Sequence, residues 1–153
     1  MAATAKITLN VTMFNALKDL SNANRFCIID DPAIVDSANG RVYTINGDRR
    51  TLRIKNGKTG AAQKAKPINL EFTITPAGSY VVAGLIVDGG GFDGKGGAKN
   101  NFAPGAIDGN VVTLEDVYSD GKTYWEVLIG IQEVAGGKRV GVIDPGVENS
   151  EDA

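Results

Sequence analysis

The chain has 153 residues, of which 42% are hydrophobic and 22% charged, and a formal net charge of -2. This composition excludes a low-hydrophobicity disordered chain, and the small net charge singles out no class of partner. The length fits one domain, with a core able to bury roughly 70% of the surface its unfolded form exposes.

The opening residues show no basic stretch followed by an apolar run, and the single cysteine, Cys27, has no internal disulfide partner. Both point to the cytoplasm rather than to secretion. No apolar stretch reaches the roughly 20 residues of a membrane-spanning helix, since 80–87 runs straight into Asp88-Gly89.

From Thr4 to Met13, Ile7, Leu9, Val11 and Met13 alternate with Lys6, Thr8, Asn10 and Thr12, which predicts a strand with one wet face. Phe14 to Leu20 suits a helical turn, stopped by Ser21-Asn22-Ala23-Asn24. Short strands follow at Arg25 to Ile29, Arg41 to Ile45 and Arg50 to Lys55, broken by Asp31-Pro32, Asn39-Gly40 and Asn46-Gly47. Asn-Gly supplies the positive φ of two-residue hairpins.

Ile68, Leu70, Phe72 and Ile74 alternate up to Thr75-Pro76, and Ser79 to Val87 is nearly continuously apolar, as a buried core strand would be. Asp88 to Gly109 reads as a long glycine-rich loop, functional or mobile. Asn110 to Tyr118 and Lys122 to Gln132 flank Ser119-Asp120-Gly121 as a long hairpin with Trp125, Val127, Ile129 and Ile131 on its apolar face. Arg139 to Ile143 closes the fold. Residues 1–143 are thus expected to form a single domain and 144–153 an acidic, flexible tail. The fold expected is all-β: an immunoglobulin-like antiparallel β-sandwich of seven to nine strands.

Gly89-Gly90-Gly91-Phe92-Asp93-Gly94-Lys95-Gly96 matches both a dinucleotide GxGxxG and the first seven positions of a P-loop. The P-loop lacks its Ser or Thr at residue 96, and the following Gly97-Ala98-Lys99-Asn100-Asn101 supplies no helix for phosphates to bind against. No nucleotide cofactor is expected. Asp88, Asp93 and Asp108 offer oxygen ligands without EF-hand spacing, so no metal is expected either.

Arg49, Arg50, Arg53, Lys55, Lys58, Lys64 and Lys66 form an acid-free basic strip. An anionic partner fits it; nucleic acid fits poorly, because the strip lacks interleaved aromatics for stacking. Alternation gives Arg53 and Lys55 a plainer reading as the wet face opposite Leu52 and Ile54. Catalytic chemistry is sparse: the chain has no histidine, and Cys27, flanked by Phe26 and Ile28, reads as an inert buried thiol. Asp30-Asp31 before Pro32 reads as a turn cap.

Asp30-Asp31-Pro32-Ala33-Ile34-Val35 and Ile143-Asp144-Pro145-Gly146-Val147-Glu148-Asn149 resemble stretches of the DP-EP family of small uncharacterised bacterial proteins. The resemblance implies a small β-sandwich and brings no catalytic residues. The function expected is a non-enzymatic binding module for a protein or anionic partner, contacting it through Arg49, Arg50, Lys58, Lys64, Phe92, Lys95 and Lys99. The alternatives are a structural subunit of a homo-oligomeric assembly and a carboxylate-dependent enzyme using Asp30, Asp31 and Asp93.

Overall fold

A computed structural model describes residues 3–12, 14, 27–35, 41–56, 67–88, 102–116 and 123–150. Twelve strands run through them: β1 (Ala3–Val11), β2 (Cys27–Ile29), β3 (Ala33–Val35), β4 (Val42–Ile45), β5 (Thr51–Lys55), β6 (Ile68–Thr75), β7 (Tyr80–Asp88), β8 (Phe102–Asp108), β9 (Val111–Asp116), β10 (Thr123–Glu133), β11 (Val140–Ile143) and β12 (Gly146–Ser150). The helical turn expected from Phe14 to Leu20 lies, apart from Phe14, outside the described residues.

The strands form two sheets. In sheet A, β1 pairs with β6, then β9 and β8 follow, while β2 and β3 share the other edge of β1. In sheet B, β10 lies between β7 on one side and β11 and β12 end to end on the other, with β5 and β4 beyond β12. The count exceeds the expected seven to nine because two sheet positions are each filled by a pair of short strands, β2 with β3 and β11 with β12, and because β8 forms where a loop was expected.

The antiparallel expectation is corrected at two places: β1 runs parallel to β6 and β5 parallel to β12. A parallel pair needs a crossover; among the described residues the chain passes between β1 and β6 through β4 and β5 of sheet B, and between β5 and β12 through β6, β8 and β9 of sheet A. The sheets are therefore mixed.

One core holds both sheets. Ile7, Leu9, Leu70, Phe72, Trp125, Val127, Ile129 and Ile131 are all fully buried or nearly so, as their period-two spacing requires. Burying each such side chain stabilises the fold by roughly 1.5–3 kcal/mol. Val11, at the end of β1, is only partly buried against that core.

Three local readings change. Gly146–Ser150, expected within a flexible tail, form β12, inserted between β10 and β5 with Val147 and Asn149 buried. Phe102–Asp108, expected as loop, form the edge strand β8; its pairing with β9 shifts register between Ala103 and Ala106, where Pro104 and Gly105 sit. At Asn46-Gly47 the positive φ falls on Arg49, at 60°, rather than on the glycine. The Asn46 side chain holds this turn, its Oδ1 accepting from the backbone N–H groups of Arg50 and Thr51 at 2.9 and 3.0 Å.

Candidate functional site

Of the basic residues singled out for a partner, Arg49 and Arg50 lie in the turn between β4 and β5. Arg49 lies 3.7 Å from Asp31 in an exposed ion pair, and its backbone oxygen accepts from Ile29 N–H. Arg50 is half-buried; its Nε makes no hydrogen bond among the described residues, and its carbonyl accepts from Gly146 N–H. Arg53 is exposed between buried Leu52 and Ile54 and approaches Glu148 to 3.9 Å. Lys58, Lys64, Phe92, Asp93, Lys95 and Lys99 lie outside the described residues.

Cys27, at the start of β2, is buried. Burial pushes its thiol up to about 12, against a smaller opposing hydrogen bond from the Asp144 backbone, so it carries almost no thiolate at neutral pH. Asp30 and Asp31 are both exposed beside β2. Among the described residues no three His, Cys, Asp or Glu side chains gather as a metal site.

The alternation did not reveal a buried polar chain between the sheets. Arg41 Nε donates to Asn56 Oδ1 at 2.9 Å, Asn56 Nδ2 donates to Asn149 Oδ1 at 3.0 Å, and Asn149 Nδ2 donates to Asp116 Oδ2 at 2.7 Å. Arginine only donates, so Asn56 turns its oxygen towards Arg41 and its amide nitrogen towards Asn149, whose own amide nitrogen is left to donate to Asp116. Asn56, Asn149 and Asp116 are fully buried, which makes this relay a joint between the sheets.

A second unforeseen feature is the outer face of sheet B. Trp125, Val127, Ile129 and Ile131 face inwards, so Leu128, Gly130 and Gln132 of β10 face outwards. Their register partners on β7 are Ile86, Gly84 and Val81, and Gly130 and Gln132 also pair with Val142 and Val140 of β11. Ile86 is 63% exposed and Val81 37%. The run Ser79 to Val87 is therefore not a core strand: Val82, Leu85 and Val87 pack inwards, while Val81, Ala83 and Ile86 face solvent.

At one end of the face Glu126 pairs in register with Asp88; beyond the other end Arg139 is held by Glu133 at 2.9 Å on the opposite side of the sheet, that of Ile131 and Tyr80. Arg139 also lies 4.8 Å above the Phe14 ring, which stacks on Tyr80.

No family model and no curated protein matches the chain. Among solved structures, the crystal structure of the inclusion body protein PixA from Burkholderia cenocepacia is similar along nearly the whole length, covering 98% of this chain and 97% of its own, with 9% sequence identity and a TM-score of 0.55. That similarity is one of fold: an all-β chain of two mixed, open sheets. Among the described residues no helix is long and apolar enough to cross a membrane.

Proposed function

We propose that this chain is a non-enzymatic interaction module whose contact surface is the outer face of sheet B. The observation carrying this reading is the exposed set Val81 and Ile86 beside Leu128, Val140 and Val142, because contiguous apolar surface rimmed by charge marks a place of contact. The basic strip supports the reading less, since Arg49 and Arg53 already face Asp31 and Glu148. A chain without histidine, whose one thiol is held protonated, also agrees with a role other than catalysis. A protein of similar fold is titled an inclusion body protein, which fits a chain whose work is association. A cytoplasmic setting belongs to the same reading, resting on the lone unpaired thiol.

The test is affinity capture from native cell extract with wild type and with Ile86→Lys as bait. Partners held by wild type and lost with Ile86→Lys support the module and its face. An identical set of partners on both baits overturns the assignment of the face.

A further inference from the structure

The chain holds three Asn-Gly pairs, Asn39-Gly40, Asn46-Gly47 and Asn56-Gly57. An asparagine followed by glycine is open to attack on its own side chain, because no Cβ on the next residue obstructs that residue's backbone nitrogen. Asn39, Gly40 and Gly57 lie outside the described residues.

We propose that Asn46-Gly47 is a site of spontaneous modification in the folded chain, converting to aspartate and isoaspartate, and that the fold spares Asn56. The backbone nitrogen of Gly47 gives up its proton to solvent base and bonds to Asn46 Cγ, while the carbonyl electron pair moves onto Oδ1. As that pair returns, the Cγ–Nδ2 bond breaks and Nδ2 leaves as ammonia with a proton from water. Water then opens the succinimide ring at either of its two carbonyls, leaving aspartate or isoaspartate. Nothing is oxidised or reduced, and water is the sole co-reactant.

The turn favours each step. Asn46 Oδ1 already accepts from the backbone N–H groups of Arg50 and Thr51 at 2.9 and 3.0 Å, so the negative charge that grows on Oδ1 meets two aimed donors. Among the described residues neither Asn46 Nδ2 nor Gly47 N–H is held in a hydrogen bond. Leaving group and nucleophile are therefore free. Gly47 and Asp48 are exposed, so water reaches the ring.

Asn56 shares only the first of these features. Arg41 Nε donates to its Oδ1 at 2.9 Å, yet its Nδ2 donates to Ile54 O, Asn149 Oδ1 and Ser150 O, and the residue is fully buried. Ammonia leaves there only when those hydrogen bonds break without water to replace them.

The two products differ in what they do to the turn. Aspartate keeps the main chain and offers an oxygen to the same two donors. Isoaspartate carries the main chain through Cβ and Cγ, which lengthens it and turns the Cγ oxygen into a backbone carbonyl. That displaces Arg49 and Arg50, whose carbonyls accept from Ile29 N–H of β2 at 2.7 Å and from Gly146 N–H of β12 at 2.8 Å.

The full chain held in mildly alkaline buffer, folded and in urea, with its peptides followed by mass spectrometry, tests this. In the folded chain the Asn46 peptide is expected to gain about one mass unit at least about tenfold faster than the Asn56 peptide. In urea the two are expected to convert at similar rates. Gly47→Ala, at a position with open space and no positive φ, is expected to slow conversion at Asn46 at least about tenfold with an unchanged circular dichroism spectrum. Hydrogen exchange at Ile29 and Gly146 is expected to be faster in the isoaspartyl fraction than in the unmodified chain. An Asn46 that keeps its amide in the folded chain while losing it in urea overturns the proposal, as does an Asn56 that converts as fast as Asn46 in the folded chain, or a Gly47→Ala chain that converts as fast as wild type. Unchanged exchange at Ile29 and Gly146 overturns the consequence drawn for isoaspartate.

Discussion

Asn149 on β12 donates a 2.7 Å hydrogen bond to Asp116 on β9, so the two sheets are joined through their interior by a polar contact as well as by apolar packing. Replacing Asn149 by Ala removes the donor to a buried carboxylate and the acceptor of Asn56. The expected cost is about 3 kcal/mol. Urea unfolding of Asn149→Ala checks it, and a midpoint equal to wild type would show that the relay contributes nothing to stability.

Val127 is fully buried between the sheets, and a carboxylate there has no partner to offset its desolvation. Val127→Asp is expected to lose its cooperative thermal transition at neutral pH. A soluble variant that melts where wild type does would contradict the inward face of β10.

Gly105 is required by a close approach. A Cβ at that position would fall 2.0 Å from the Thr113 carbonyl oxygen across the β8–β9 pairing. Gly105→Ala is expected to cost about 1–3 kcal/mol and to speed hydrogen exchange along β9. Unchanged exchange at Val111–Asp116 would argue that β8 does not pair there.

The Cys27 thiol gives a stability window in alkali. Its ordinary value is 9.0, and burial raises it to about 12 in the folded chain. Between those values the unfolded state has released a proton that the folded state keeps, so stability falls as pH rises through the interval. Tyr43 and Tyr124, also raised by burial, add to the fall. Cys27→Ala is expected to flatten it in part; parallel wild-type and variant curves of unfolding midpoint against pH would show that the thiol ionises alike in both states.

The elements legible in the sequence were those whose alternation is uninterrupted. Ile68 to Ile74 and Trp125 to Ile131 disclose both a strand and its buried side, because a period of two leaves no other arrangement. Pairing partners were not legible: nothing local in Ile7 or Phe72 says that they lie side by side in parallel strands. Strand β12 was hidden by Glu148 and Asn149, which look like a polar tail until Glu148 meets Arg53 and Asn149 enters the relay. Strand β8 was hidden by Pro104 and Gly105, which an edge strand tolerates at a bulge. The outer face of sheet B was missed because Ser79 to Val87 looks like a core strand, and sequence alone does not say whether a strand's second face meets its own chain or another. For the expected partner surface, the described part places Arg49 and Arg50 in one turn beside Asp31.

The central claim is that the outer face of sheet B, with Ile86 exposed among the described residues, is the surface through which the chain meets a partner. The most direct measurement is the attenuation of the Ile86 and Leu128 methyl signals by a soluble paramagnetic probe, with buried Ile129 as reference, in the free chain and with a captured partner bound. Strong attenuation of Ile86 in the free chain, falling towards that of Ile129 when the partner is bound, is the predicted result. Attenuation of Ile86 that is unchanged by the bound partner would contradict the account.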